Sequence, residues 1–387
     1  MDFEARKVIE ALRSGVPSRT IGRYFGGART DLIAEMSEWL ENQAGGGRIL
    51  TASYGEGKTH LLNTVFSMAQ SKNMAVSIIS LSRETPLNTL HVLYQKIAQN
   101  TYLPNREQPG FELLIDQLNT VSMAELQLYA SREMQTDKLY YLLKSYSGTD
   151  NPEVRFTLKA DLQGNFIGNV QLRSIYKEIF DEKVVYSANF AKTKHIWDYF
   201  QFLSRLFILS GLRGWVILFD EAEQIGRLGR KTRFAAYTNM AKFLSPETES
   251  IHSLFTMTNN YAKQVIDEKD EHGHLAETEG FDHGVIEYAL TRIETAPELA
   301  PLGRDEFMKV LEKIVDFHAR AYDRNPDVDT AELCEMAWTR GYYLRTKIRA
   351  AIEYLDQLLQ YGDTGVVTAG ELEQETYEEE IPLPDEL

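Results

Sequence analysis

Ser53-Tyr54-Gly55-Glu56-Gly57-Lys58-Thr59-His60 is the stretch of this 387-residue chain whose residue types and spacing most directly suggest chemistry. A loop carrying two glycines and ending in Gly-Lys-Thr can wrap a phosphate chain with its backbone N–H groups. A helix starting just beyond adds positive potential. In such a loop Lys58 reaches the β- and γ-phosphates and the Thr59 hydroxyl binds Mg²⁺. Ser53, Tyr54, Gly55, Glu56, Gly57 and His60 complete the expected cradle. Ala52 stands where the G-x-x-x-x-G-K-[ST] pattern begins with glycine, and alanine suits that place if it need not adopt a positive φ. The expectation is a nucleoside triphosphate site, with binding more directly supported than hydrolysis.

Phosphate chemistry also needs a metal partner and a way to activate water. Phe219-Asp220-Glu221 closes an apolar run, Gly214-Trp215-Val216-Ile217-Leu218. Asp220 is the candidate for holding Mg²⁺ and Glu221 the candidate general base; an acidic helix N-terminus is the alternative. Another apolar run, 251–258, ends at Thr258-Asn259-Asn260. Thr258 or Asn259 could there sit between the other two strand ends and bond the water or the γ-phosphate, with an Asn-rich turn as the alternative. Arg292 is a candidate arginine finger toward a neighbouring subunit, or a surface ion pair. Arg345 and Arg349, at i and i+4 of one helical face, are candidates to close a lid on the nucleotide, or lie in solvent. His272-Gly273-His274 with Glu271 resembles a metal tract, but it lacks the roughly four ligands of a closed site and reads as a solvated loop.

These residues must be positioned by a small set of elements. Strands are expected over 48–53, 74–81, 214–219 and 251–258, and a weaker one over 285–291. A helix follows the phosphate loop to about 71, so the chain opens as a β-α-β unit. Residues 84–210 show long helical patterns and no clear strand. Residues 301–360 are helical again. Two further helices, over 2–13 and 29–42, precede the first strand, separated by a break at Ser14-Gly15-Val16-Pro17-Ser18. Phe200, Phe202 and Phe207 read as core rather than as a partner surface. Lys58 and Glu221 lie 163 residues apart, so a large insertion separates the two halves of the site.

Composition sets the outer bounds. With 43% hydrophobic and 25% charged residues the chain reads as an ordinary soluble globular protein. No run nears the ~20 apolar residues that span a bilayer, so no membrane association is expected. Met1-Asp2-Phe3-Glu4-Ala5-Arg6-Lys7 has no apolar signal core, and Cys334 is the single cysteine. A cytoplasmic location follows as an expectation. The net charge of −16 argues against a whole-surface nucleic-acid binder, although eleven acids and no Lys or Arg fall in 350–387. DNA contact would need a local patch such as Arg227, Arg230, Lys231 and Arg233, which otherwise reads as a solvated charged face.

Phosphate loop, strand-end Asp-Glu, polar strand end and helical C-terminal region together look like an AAA+-type ATPase. Four segments narrow the likeness: Ala11-Leu12-Arg13-Ser14-Gly15-Val16-Pro17, Tyr54 to Leu62, Leu218-Phe219-Asp220-Glu221-Ala222-Glu223, and Leu299-Ala300-Pro301-Leu302. They resemble the ATP-binding proteins of BREX phage-defence systems, the BrxC/BrxD type, which are similar in turn to the origin-recognition and STAND branches of P-loop ATPases. The resemblance covers about 1–80 and 210–360. It implies an α/β P-loop NTPase, AAA+-like fold with a parallel-sheet core and a C-terminal helical lid; with the patterns above, the core is expected at 1–83 and 211–300, the lid at 301–365, an inserted mostly helical module that the resemblance does not cover at 84–210, and an acidic tail, disordered by its composition, at 366–387. It implies ATP and Mg²⁺ as cofactors and a nucleotide-driven switch in intracellular antiviral defence. It further implies a homo-oligomer or other defence-system proteins as partners, with Arg292 acting in trans. Rival readings are a nucleotide-gated module with little hydrolysis, a small-molecule kinase and a DNA-associated ATPase.

Overall fold

A computed structural model describes residues 2–15, 19–25, 29–245 and 250–362. The acidic tail expected over 366–387 and Val16-Pro17-Ser18 lie outside the described residues. Five strands form one sheet: β1 (Gly46–Ala52), β2 (Ala75–Ser80), β3 (Thr101–Tyr102), β4 (Trp215–Asp220) and β5 (Ile251–Thr258). Their order is β1-β5-β4-β2-β3, parallel except for β3. Every residue of β4 is buried, and β5 is buried until Thr258. Continuous apolar strands of this kind belong in a parallel sheet covered on both faces. Gly47 is required at the start of β1, because a Cβ there would lie 2.5 Å from the Phe243 carbonyl oxygen.

Register brings the site together. Ser80 pairs with Asp220, and Ala52 pairs with Thr258, so β1, β2, β4 and β5 all end at one edge of the sheet. β5 lies between β1 and β4, as the polar strand end required.

Three apolar clusters organise the helices. On one face, Lys58–Ser71 and Thr30–Trp39 pack through Leu62, Val65 and Trp39 onto Leu50, Val216 and Leu254. On the other, the insertion shares a continuous core with the sheet. Its helix Lys192–Leu209 drives Phe200 and Phe207 against Trp215, with ring centroids 5.9 and 5.4 Å away. The aromatic run of that helix is therefore core, as expected. The third cluster joins Ala5, Val8, Ile9 and Leu12 of Phe3–Ser14 to the C-terminal helices Arg304–Tyr322, Thr330–Trp338 and Leu344–Tyr361. The N-terminal helix is thus stapled to the C-terminal helices by Arg13–Asp356 and Arg320–Asp2 ion pairs, rather than grouped with the sheet as the expected 1–83 core placed it.

Two expectations over secondary structure are corrected. Residues 285–291 are not a strand but part of the helix His283–Glu294, capped by the Asp282 carboxylate on the Val285 N–H. Its buried Ile286, Ala289, Leu290 and Ile293 recur at helical spacing. The sheet edge beyond β1 is met instead by a single parallel bridge between Thr51 and Glu298. Within the insertion, β3 escapes the helical reading because two residues are too few to show a period.

Candidate functional site

The phosphate loop bridges Ala52, the last residue of β1, and Lys58, the first of its helix. Gly55 (φ 82°) and Gly57 (φ 95°) adopt the left-handed conformation that turns successive backbone N–H groups into the loop. Ala52 keeps a negative φ inside the β1–β5 ladder, so alanine there carries no backbone strain. The Lys58 ammonium folds back onto the carbonyl oxygens of Ala52 (3.1 Å) and Ser53 (3.4 Å). Burial pulls its pKa below the ordinary lysine value.

Thr59 and the acid pair meet across the sheet edge. The Thr59 hydroxyl donates to Asp220 Oδ2 at 2.5 Å. Asp220 Oδ1 accepts from the Thr256 hydroxyl (2.8 Å) and from the Glu221 N–H (3.0 Å). Glu221 sits at φ 56°, ψ 38°, exposed, with its carboxylate accepting a hydrogen bond from the Ser80 hydroxyl. A non-glycine residue in that region is held there by its surroundings. Glu223, two residues on, is buried, and that burial pushes its carboxyl up to about 7.

The remaining walls come from distant segments. Asn259 donates to the Ser53 hydroxyl (3.1 Å) and to Glu298 (2.7 Å), so it flanks the loop. Arg345 touches the loop twice: its N–H donates to the Gly55 carbonyl (3.2 Å) and its guanidinium to the Tyr54 hydroxyl (3.0 Å). The Arg29 guanidinium donates to the Glu56 carbonyl (3.1 Å). Burial holds His60 down to about 4. Tyr54 to His60, Arg29, Asp220, Glu221, Glu223 and Arg345 line a crevice of about 200 Å³ with the apolar side chains Leu12, Phe25, Leu302, Val310 and Ile348; Asn259 is tied to it through Ser53 but does not line it. The crevice offers hard oxygen donors at Thr59 and Asp220, which suit Mg²⁺, beside a lysine and two left-handed glycines. A polyphosphate with an apolar head group matches that lining.

The structure therefore brings together Ser53, Tyr54, Gly55, Glu56, Gly57, Lys58, Thr59, His60, Asp220, Glu221, Asn259 and Arg345. Arg349, four residues beyond Arg345, does not line the crevice. Arg292 donates to the Gly47 carbonyl (2.9 Å), at the opposite end of β1 from the loop, and so is far from its own chain's crevice. Within the basic cluster, Arg233 is buried against Glu271, which leaves Arg230 and Lys231 as its exposed members. His272 lies on the helix Glu271–Glu277 and bonds Glu287 and Glu294; among the described residues no group of His, Cys, Asp and Glu could hold a metal by itself. Sequence reasoning missed Ser80, Thr256 and Arg29. The strand register reveals the first two, whereas nothing around Arg29 in the chain signals its return to the loop.

Among the described residues no helix is long and apolar enough to cross a membrane. No curated protein matches the chain. Among solved structures, the Walker-type ATPase PABY2304 of Pyrococcus abyssi is similar at 14% identity, over 87% of this chain and 68% of that one, with a TM-score of 0.37. The family described as "BREX system ATP-binding protein BrxC/D" matches residues 2–140 and 190–366, which include the loop, the acid pair, Asn259, Arg345 and Arg349. By that match this chain belongs to the BREX system ATP-binding protein BrxC/D family.

Proposed function

We propose that the chain binds ATP with Mg²⁺ in this crevice and hydrolyses it to ADP and phosphate as a nucleotide-driven switch in antiviral defence. The observation that carries this reading is the Thr59–Asp220 contact, which joins the phosphate loop to the acid pair at one sheet edge. In this reading the loop amides and Lys58 bind phosphate oxygens. Thr59 and Asp220 hold Mg²⁺, which when bound neutralises developing phosphate charge. Glu221 takes the proton of the attacking water, and Asn259 orients that water from the neighbouring strand end. Arg345 couples the nucleotide to the lid, because it grips the loop and stands on the helix Leu344–Tyr361. Arg349 and Arg292 have roles only if the lid rotates or a second subunit docks. Other defence-system proteins or further copies of the chain are the partners this scheme calls for, in the cytoplasm, and DNA contact would fall to Arg230 and Lys231.

A second reading, a nucleotide-gated module with slow turnover, is favoured by the Ser80–Glu221 hydrogen bond, which engages the proposed base. Steady-state phosphate release by wild type and Glu221→Gln, with ATP binding measured alongside, tests both. Hydrolysis in wild type and its loss in the variant supports the ATPase. Equal inactivity with intact binding supports the gated module, and absence of ATP binding overturns both.

A further inference from the structure

Tyr54 stands in the phosphate loop, yet the proposed hydrolysis gives its side chain no task. The Arg345 guanidinium meets that side chain twice. It lies over the ring, 5.1 Å from the centroid, and donates to the hydroxyl at 3.0 Å. A charge over an aromatic ring and a hydrogen bond at the ring's edge together restrain the planar fork. Two glycines complete the seat. Gly55 lets the lid segment settle on the loop, because a Cβ there would lie 3.2 Å from Tyr343 Cβ. Gly15 ends the helix Phe3–Ser14 at φ 68°, and its missing Cβ, which would lie 3.3 Å from Arg345 Cδ, lets that helix end close over the arginine stem.

The guanidinium held in this seat has donors to spare. It carries five N–H groups, and the Tyr54 hydroxyl is its side-chain acceptor among the described residues, where no carboxylate pairs with it. Arg345 is half-buried and lines the crevice together with Lys58 and Thr59. A partly buried cation without a carboxylate suits an anion, and the guanidinium fork matches phosphate oxygens. We infer that Tyr54 is a positioning residue that presents the Arg345 guanidinium to the nucleotide phosphates. The inference rests on the phosphate-binding reading above. A hydroxyl carries no charge, so it steadies the fork without neutralising it, whereas a carboxylate in its place would compete with phosphate. Every contact of the seat comes from the chain itself, so the rotamer freedom of a long arginine is lost on folding rather than on binding.

The test is a double-mutant cycle on the full chain, read by calorimetric titration with ATP and magnesium, with a melting curve for every variant. Tyr54→Phe keeps the ring and removes the hydroxyl; Tyr54→Ala removes both. The inference expects ATP binding weakened roughly threefold in Tyr54→Phe and roughly tenfold in Tyr54→Ala, the scale of one hydrogen bond and then one cation–π contact. In an Arg345→Ala background neither change weakens binding further. Tyr54→Phe decides alone if Tyr54→Ala does not fold. A loss that persists without Arg345 would overturn the inference, since Tyr54 would then shape the loop or touch the nucleotide itself. Unchanged ATP binding in the folded Tyr54 variants would overturn it outright. Failure of wild type itself to bind ATP would instead overturn the nucleotide-site reading.

Discussion

The hydroxyl of Thr59 and the carboxylate of Asp220 stand 2.5 Å apart although 161 residues separate them. Parallel pairing makes this possible: β5 bridges β1 and β4 in register, so Asp220 at the end of β4 faces Thr59 at the start of the helix that follows β1 and the phosphate loop. If they share a divalent ion, Thr59→Ala and Asp220→Asn each weaken magnesium-dependent ATP binding by roughly 10- to 100-fold, while binding without magnesium changes little. Titration of ATP with and without magnesium measures this. Equal losses in both conditions would contradict a metal role.

Ser80 holds the Glu221 carboxylate at the end of β2. Ser80→Ala removes that hydrogen bond and frees the proposed base. The expected result is a basal phosphate-release rate raised up to about tenfold, the size of one hydrogen bond to a charged group, with KM unchanged. A slower variant would mean that Ser80 assists Glu221 rather than restrains it.

Arg345 and Arg349 share a helix, but only Arg345 reaches the phosphate loop. Arg345→Ala should weaken ATP binding by roughly tenfold through loss of its hydrogen bond and its contact with the Tyr54 ring. Arg349→Ala should leave affinity within about twofold of wild type. Parallel titrations of the two variants decide it, and similar effects from both would point to a lid position other than this one.

Glu223 provides a pH signature of stability. Burial raises its carboxyl from 4.5 to about 7, so the native state binds a proton that the unfolded chain has already released over that interval. Its contribution is therefore fully present below about pH 4.5 and is lost as pH rises toward 7. Glu223→Gln should be more stable than wild type at pH 7.5, by up to roughly 3 kcal/mol, and should lose this advantage at pH 4.5. Urea unfolding at the two pH values measures the difference, and a pH-independent gap would assign the effect to packing.

Arg233 is 2% exposed and pairs with fully buried Glu271, while also donating to the Leu228 carbonyl just beyond the 3₁₀ turn. Arg233→Ala strands a buried carboxylate and should cost about 3–5 kcal/mol. Urea midpoints report it. A loss under 1 kcal/mol would show that water reaches Glu271.

Much of the site was legible because its chemistry depends on short, local patterns. Gly55, Gly57, Lys58 and Thr59 are contiguous, and Asp220-Glu221 closes an apolar run whose length and burial mark a central strand. Asn259 followed from the same logic applied to β5. What the chain could not disclose are contacts set by register or by tertiary packing. Ser80 reaches Glu221 only because β2 pairs with β4, and Arg29 reaches Glu56 only through the packing of the N-terminal segment. Arg292, expected to act on a neighbouring subunit, follows a segment expected as a strand over 285–291, but that segment is a helix that carries it to the far end of β1. The β-branched and aromatic residues of that run mimic a strand, and tertiary burial of Ile286, Ala289, Leu290 and Ile293 on one stripe overrides the local preference.

The shared core of Phe3–Ser14 with Arg304–Tyr322 and Leu344–Tyr361 makes these helices one packed piece. Any swing of that piece relative to the sheet carries Phe3–Ser14 and Leu344–Tyr361 in concert. A fluorophore on either helix, paired with one on the sheet, would report the same excursion.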